Sequence, residues 1–109
     1  MAKKKEQTPR DGVWIWDLYR FGYTLRVVGR TKEEALDAMR EEYIRAYASW
    51  NELNEDALRA ALISPVLDED GEVDEYDEGN VFVQYYNSAC VEFNDGEPYF
   101  YEFGKVEWT

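Results

Sequence analysis

The tetrad Thr31-Lys32-Glu33-Glu34 constrains the fold more than any other short run in this sequence. A threonine followed three residues later by glutamate is a capping box. The hydroxyl accepts from the glutamate amide, and the glutamate side chain reaches back toward the chain entering the helix. Leu36, Met39, Tyr43, Tyr47 and Trp50 then recur at three- and four-residue steps, with Ala35, Ile44 and Ala46 beside them. Lys32, Asp37, Arg40, Glu41 and Arg45 fall mostly on the other side, and Glu41 with Arg45 is a favourable i,i+4 pair. The spacing predicts a helix from Thr31 to about Trp50 whose aromatic stripe is core. Such a helix needs a second layer to cover its stripe.

That layer is legible on both sides. Val13 to Tyr19 (Val-Trp-Ile-Trp-Asp-Leu-Tyr) is rich in β-branched and aromatic residues and reads as a strand. Arg20-Phe21-Gly22 is a turn. Tyr23 to Val28 is a second strand, with Tyr23, Leu25 and Val27 on one face, so the two form a hairpin. After the long helix, Asn54 caps a short helix through Glu55 and Asp56 to about Ile63. Leu58, Ala61 and Leu62 point inward, and Pro65 ends it.

Asp68 to Gly79 is an acidic run with Asp70-Gly71 as a tight-turn pair, read as a long exposed loop or loose hairpin. Val81 to Tyr86 reads as a third strand, with Val81, Val83 and Tyr85 on one face. Ala89 to Phe93 reads as a fourth, with Ala89, Val91 and Phe93 inward and Cys90 and Glu92 outward. Asn94-Asp95-Gly96-Glu97 turns the chain, and Pro98 opens a last strand carrying Tyr99, Tyr101 and Phe103, then Val106 and Trp108. A bulge at Gly104 would absorb the change of phase. The expectation is an α+β fold: an antiparallel sheet of about five strands in the order ββα(α)βββ, packed on one long helix plus a short helix. Residues 1–11 read as a flexible basic tail, and residues 12–109 as a single acidic domain with its acidic loop at 68–79.

Charge separates the chain into unequal parts. Residues 12–63 hold seven bases and nine acids, whereas residues 64–109 hold one base, Lys105, against thirteen acids. The last part therefore carries a net −12, equal to the whole chain's imbalance. Such a field repels nucleic acid and membrane surfaces and attracts basic proteins. No stretch approaches the ~20 apolar residues of a membrane span. The lysine-rich start lacks the apolar segment of a secretory signal, and Cys90 is the only cysteine, so a cytoplasmic location is expected.

The same inventory argues against catalysis. The chain has no histidine, so the usual general base and the commonest metal ligand are absent. Cys90 has no histidine to activate it, Ser49, Ser64 and Ser88 lack a nucleophile-elbow context, and the seven glycines form no phosphate loop. No cofactor is expected. For calcium, aligning Gly71 with the loop glycine of an EF-hand puts Asp68 and Asp70 at ligand positions. Val66 would then stand first and Asp77 last, where the motif needs Asp and Glu. Direct nucleic-acid binding through Trp14, Trp16, Phe82 and Tyr86 as stacking platforms is opposed by the charge.

The reading that remains inverts that logic. Rows of carboxylates can occupy a cationic channel built for a phosphate backbone. Alternate residues on a strand face sit roughly 6.6 Å apart, comparable in scale to the nucleic-acid repeat. The expected contact surface is Asp68, Glu69, Asp70, Glu72, Asp74, Glu75, Asp77 and Glu78 with Glu92, Asp95, Glu97, Glu102 and Glu107, supplemented by Trp14 and Trp16. The bland alternative is that the acids only keep an aromatic-rich domain soluble.

In character the chain resembles the small acidic proteins that phages and mobile elements use against host defence nucleases, including anti-CRISPR and anti-restriction DNA mimics. That resemblance implies a non-catalytic inhibitor whose partner is a basic nucleic-acid-binding protein such as a Cas effector, acting in the host cytoplasm. The run Gly29-Arg30-Thr31-Lys32-Glu33-Glu34-Ala35 is also similar to the strand-to-helix junction of HicB-type antitoxins. The Pro/Gly-rich segment and DNA-binding tail of those proteins are absent. An antitoxin-like or adaptor module docking through Trp14, Trp16 and Tyr19 is the alternative, and a divalent-cation-binding domain the second.

Overall fold

The structure, a computed structural model, describes residues 11–93 and 96–103. Strands β1 (Gly12–Arg20) and β2 (Tyr23–Gly29) lead into helix α1 (Lys32–Asn51). Helices α2 (Glu55–Ile63) and α3 (Glu78–Tyr86) follow, then strand β3 (Tyr99–Glu102). β1 is central: β2 and β3 flank it, both antiparallel, in the order β2-β1-β3.

The hairpin forms as expected, with register running from Arg20↔Tyr23 to Trp14↔Gly29. Phe21 and Gly22 make the turn at φ 58° and 84°, the left-handed pair that matches strand twist. Glycine adopts this without cost. For Phe21 the same region costs about 1–2 kcal/mol. Its ring, aimed across the end of α1, recovers packing against Tyr43 (5.4 Å), Tyr47 (6.0 Å) and Trp50 (6.1 Å).

Alternation then decides what each face does. Trp16, Leu18, Leu25 and Val27 are buried on the face covered by α1. Helix α1 answers with Ala35, Met39, Tyr43, Ile44, Ala46, Tyr47 and Ala48. Its cap differs in one arm from the expected box. Glu34 N–H donates to Thr31 Oγ1 (3.0 Å), but the Glu34 carboxylate accepts from Arg30 N–H (2.9 Å). Trp50, expected in the core stripe, is 62% exposed in the last turn of the helix, which stops at Glu52 in a left-handed cap. The short α2 is capped by Asn54 Oδ1, which accepts from the Asp56 and Ala57 amides, and it buries Leu58 and Ala61.

The main departure lies at 78–93. The segment read as two strands is helical, so the sheet has three strands among the described residues rather than about five. Asp77 caps α3, accepting from Gly79 and Asn80 N–H (2.8 and 3.2 Å). The chain then continues into a π-helical turn, Asn87–Val91. Phe82, Tyr86, Ala89 and Cys90 are buried, a helical spacing, while Val91 is exposed. Cys90 therefore faces inward, opposite to its strand assignment, and burial pushes its thiol up to about 12. Gly79 permits close approach to α2, since a Cβ there would lie 2.9 Å from that of Ala61. The last strand is present as β3, Tyr99–Glu102. The bulge proposed at Gly104, the apolar pair Val106 and Trp108, and residues 1–10 of the tail lie outside the described residues.

Candidate acidic docking site

The segment between α2 and α3 is built rather than loose. Asn80, 7% exposed on α3, grips both ends of the acidic loop. Its Oδ1 accepts from Val66 N–H (3.0 Å), and its Nδ2 donates to Val66 O (2.9 Å) and Asp74 O (2.7 Å). Asp74 N–H also donates to Val66 O (3.0 Å), and Leu67 bridges Val73. Asp68 closes the tip around Gly71, with its Oδ1 accepting from Asp70 and Glu72 N–H (2.8 and 3.0 Å).

The eight acids therefore divide by use. Asp68, Asp74 and Asp77 fold the loop: each side chain accepts backbone amides two to four residues ahead, the Asx-turn and N-cap habit of short acids. Glu69, Asp70, Glu72, Glu75 and Glu78 are exposed at its surface. Among the described residues none of the eight carboxylates forms an ion pair.

The rest of the chain contrasts with this. Arg59 holds Glu41 (2.8 Å), Glu55 (3.1 Å) and Asp56 (3.1 Å). Arg40 approaches Asp37 at 3.5 Å, and Arg45 pairs with Glu42 rather than with the expected Glu41. On the open sheet face Arg26 is bidentate to Asp17 (2.5 and 2.9 Å), and Tyr99 Oη adds a donor at 3.3 Å. The Arg26 hydrogen bond holds the Asp17 carboxyl below the usual carboxylate range, and Arg59 does the same for Glu41.

The other expected contact residues are scattered. Glu92 is exposed at the end of the π-helical turn, which its amide closes onto Asn87 O (2.8 Å). Glu97 is exposed ahead of β3. Glu102 is half-buried on β3 opposite Gly12, and Asp95 and Glu107 lie outside the described residues. Glu92 therefore does not stand on a strand face as expected, because the segment leading to it is helical. Trp16 is fully buried. Trp14 is half-buried against Phe100 (5.7 Å) with Lys32 over its ring (5.9 Å). Phe82 and Tyr86, candidate stacking platforms, are core.

Sequence reasoning missed Asn80. Its partners are backbone groups up to 14 residues away, which leave no side-chain pattern to read. A capping signal was present, however, in Asp77 ahead of Gly79 and Asn80. Among the described residues no group of three or more acids or thiols is placed to hold a metal ion, and no helix is long and apolar enough to cross a membrane. No family model, curated protein or solved structure matches the chain.

Proposed function

We propose that this is a non-catalytic binding protein that presents its 68–78 loop to a cationic, nucleic-acid-binding groove and keeps nucleic acid out of it. The partner class is a basic host defence nuclease, and a phage or mobile element is the natural source of such an inhibitor. One observation carries the reading. Arg26, Arg40, Arg45 and Arg59 are each paired with nearby acids, while the loop is pinned by Asn80 with its carboxylates free of any ion pair among the described residues. Preorganisation matters because ordering a flexible acidic segment at the moment of binding would oppose the Coulomb gain.

Association of this kind is fast at low salt and weakens steeply as salt rises, because the screening length falls to about 8 Å at physiological ionic strength. The structure also says which acids to change. Reversal of Glu69, Asp70, Glu72 and Glu75 to lysine spares Asp68, Asp74 and Asp77, which hold the loop. The experiment captures basic partners from a host lysate at low and high salt and asks whether an oligonucleotide displaces the chain. The quadruple variant, with unchanged melting, should lose capture. Retained capture by that variant, or capture indifferent to salt, sinks the proposal.

A second reading has its own observation. The sheet face away from α1 exposes Tyr19 (70%), Val28, Tyr99 and Tyr101, more apolar than a solvated antiparallel face usually is. An adaptor would dock there rather than at Trp14 and Trp16. Its mark is salt-insensitive binding abolished by Tyr101→Ser with Tyr99 intact.

A further inference from the structure

A groove of about 320 Å³ runs beside the acidic loop, between α2, the returning limb of the loop and α3. Ala61, Leu62, Pro65, Val73 and Val83 form most of its walls, so its open surface is largely apolar. The buried Asn80 also lines it, but that amide is already engaged by the backbone of Val66 and Asp74. The volume stands at the lower end of the roughly 300–1,000 Å³ of small-ligand sites, which suits a side chain or two rather than a cofactor.

Three features set this groove apart from its surroundings. The first is continuity with apolar groups left in water. Val73 is 55% exposed at its edge. Leu67, bridged to Val73 across the loop, is 54% exposed, and residues opposed in an antiparallel bridge present their side chains to the same face. Carboxylates alone would keep the loop soluble, so solubility gives no reason for this pair. The second feature is charge. Glu75 lines the groove, exposed and in no ion pair among the described residues, and no lysine or arginine is among the described lining residues. The third is order. Asn80 ties Val66 to Asp74, so the wall that carries Val73 is in place before a partner arrives.

We propose that the groove takes the anchor of a basic protein segment: one aliphatic side chain seated among Leu62, Val73 and Val83, with lysines or arginines on either side of it meeting the outward carboxylates of the loop, Glu75 first. Charge draws in a cationic segment, and burial of the anchor supplies the contact that solvent-screened charges do not. A bare phosphate backbone has neither half of this match. The proposal rests on the acidic-loop reading and adds to it a reason for one basic segment to be preferred over another of equal charge.

The test titrates the full, isotopically labelled chain with three heptapeptides. One has a central leucine between flanking lysines, one a central alanine between the same lysines, and one a central leucine between glutamines. The leucine–lysine peptide should bind about tenfold more tightly than the alanine–lysine peptide, with saturable amide shifts at Leu62, Val73 and Val83. Added salt should weaken both lysine peptides together and keep their ratio, because screening acts on charge and not on apolar burial. Val73→Ser, at an exposed position, should bring the leucine–lysine peptide down to its alanine counterpart. Gln84→Trp, exposed on α3 where it lines the groove, should do the same by filling it. Equal binding of the two lysine peptides, shifts centred elsewhere, or an unchanged ratio in either variant overturns the groove and leaves the electrostatic reading standing. A leucine–lysine peptide no tighter than the glutamine one overturns that reading and this proposal with it.

Discussion

In the hairpin, α1 and α2, the carboxylates of Asp17, Glu41, Glu42, Glu55 and Asp56 each meet an arginine. In the loop between α2 and α3, the carboxylates of Asp68, Asp74 and Asp77 meet backbone amides instead, and those of their glutamate neighbours face solvent. The two regions carry nine acids (12–63) and eight (68–78), so the number of acids does not separate them. The supply of bases does. Seven bases lie in the first region and none between Arg59 and Lys105. A carboxylate next to an arginine is spent locally and is worth little to a partner. A carboxylate that closes an Asx turn keeps its charge while stiffening the chain. An acidic surface can therefore be ordered without being neutralised, which a cationic partner requires.

The comparison can be broken most severely where the two regions join. Phe82 packs on Tyr47 (5.0 Å) and Tyr43 (6.0 Å) and is fully buried. Phe82→Ala should cost about 3–5 kcal/mol by denaturant unfolding and detach α3 from α1. A loss below ~1 kcal/mol would mean that α3 is not docked there.

Asn80→Ala comes next, at about 2 kcal/mol, because it removes three part-buried hydrogen bonds to the backbone of Val66 and Asp74. Amide exchange should quicken at 66–74 while the amides of β1 keep their protection, and uniform quickening would contradict a local clamp.

Asp77→Ala removes the α3 cap and should cost about 1 kcal/mol, whereas Glu75→Ala should stay within about 0.5 kcal/mol. Equal effects would erase the division between loop-building and outward acids.

The smallest effect belongs to the ion-paired region. Arg26→Gln should leave stability almost unchanged, since the Arg26 side chain is exposed and its pair with Asp17 is screened by solvent. It should still raise the Asp17 titration toward the ordinary range. The folded-state value is depressed, so the pair's contribution is present above the unfolded carboxylate's value and fades as pH falls through the folded one. Carboxyl-detected NMR reads this directly, and an unmoved Asp17 titration would mean that the pair does not form in solution.

Much of the expectation about elements survived wherever the signal was local. The Thr31 and Asn54 caps and the Arg20–Tyr23 turn each rest on a few adjacent residues, and each is present. The run Val81-Phe82-Val83-Gln84-Tyr85-Tyr86 misled because it fits two periods. Alternation groups Val81, Val83 and Tyr85, while helical spacing groups Phe82 and Tyr86 with Ala89 and Cys90. The Asp77 cap and the ring surface of Tyr43 and Tyr47 favour the second grouping. For the candidate site, the acidic residues were visible in the chain, but their division of labour was not, because Asn80 reaches its partners only after α3 has docked.

The amino-acid order by itself determined the hairpin, the capped helices α1 and α2 and the concentration of negative charge after Pro65, since caps, turns and composition act over a few neighbouring residues. Tertiary structure alone decided that α3 is a helix, that Trp16 is core and Trp50 is not, and that Asn80 ties the two ends of the acidic loop together. Each of those outcomes depends on which surface a segment meets, and contact between distant segments is not written in either one.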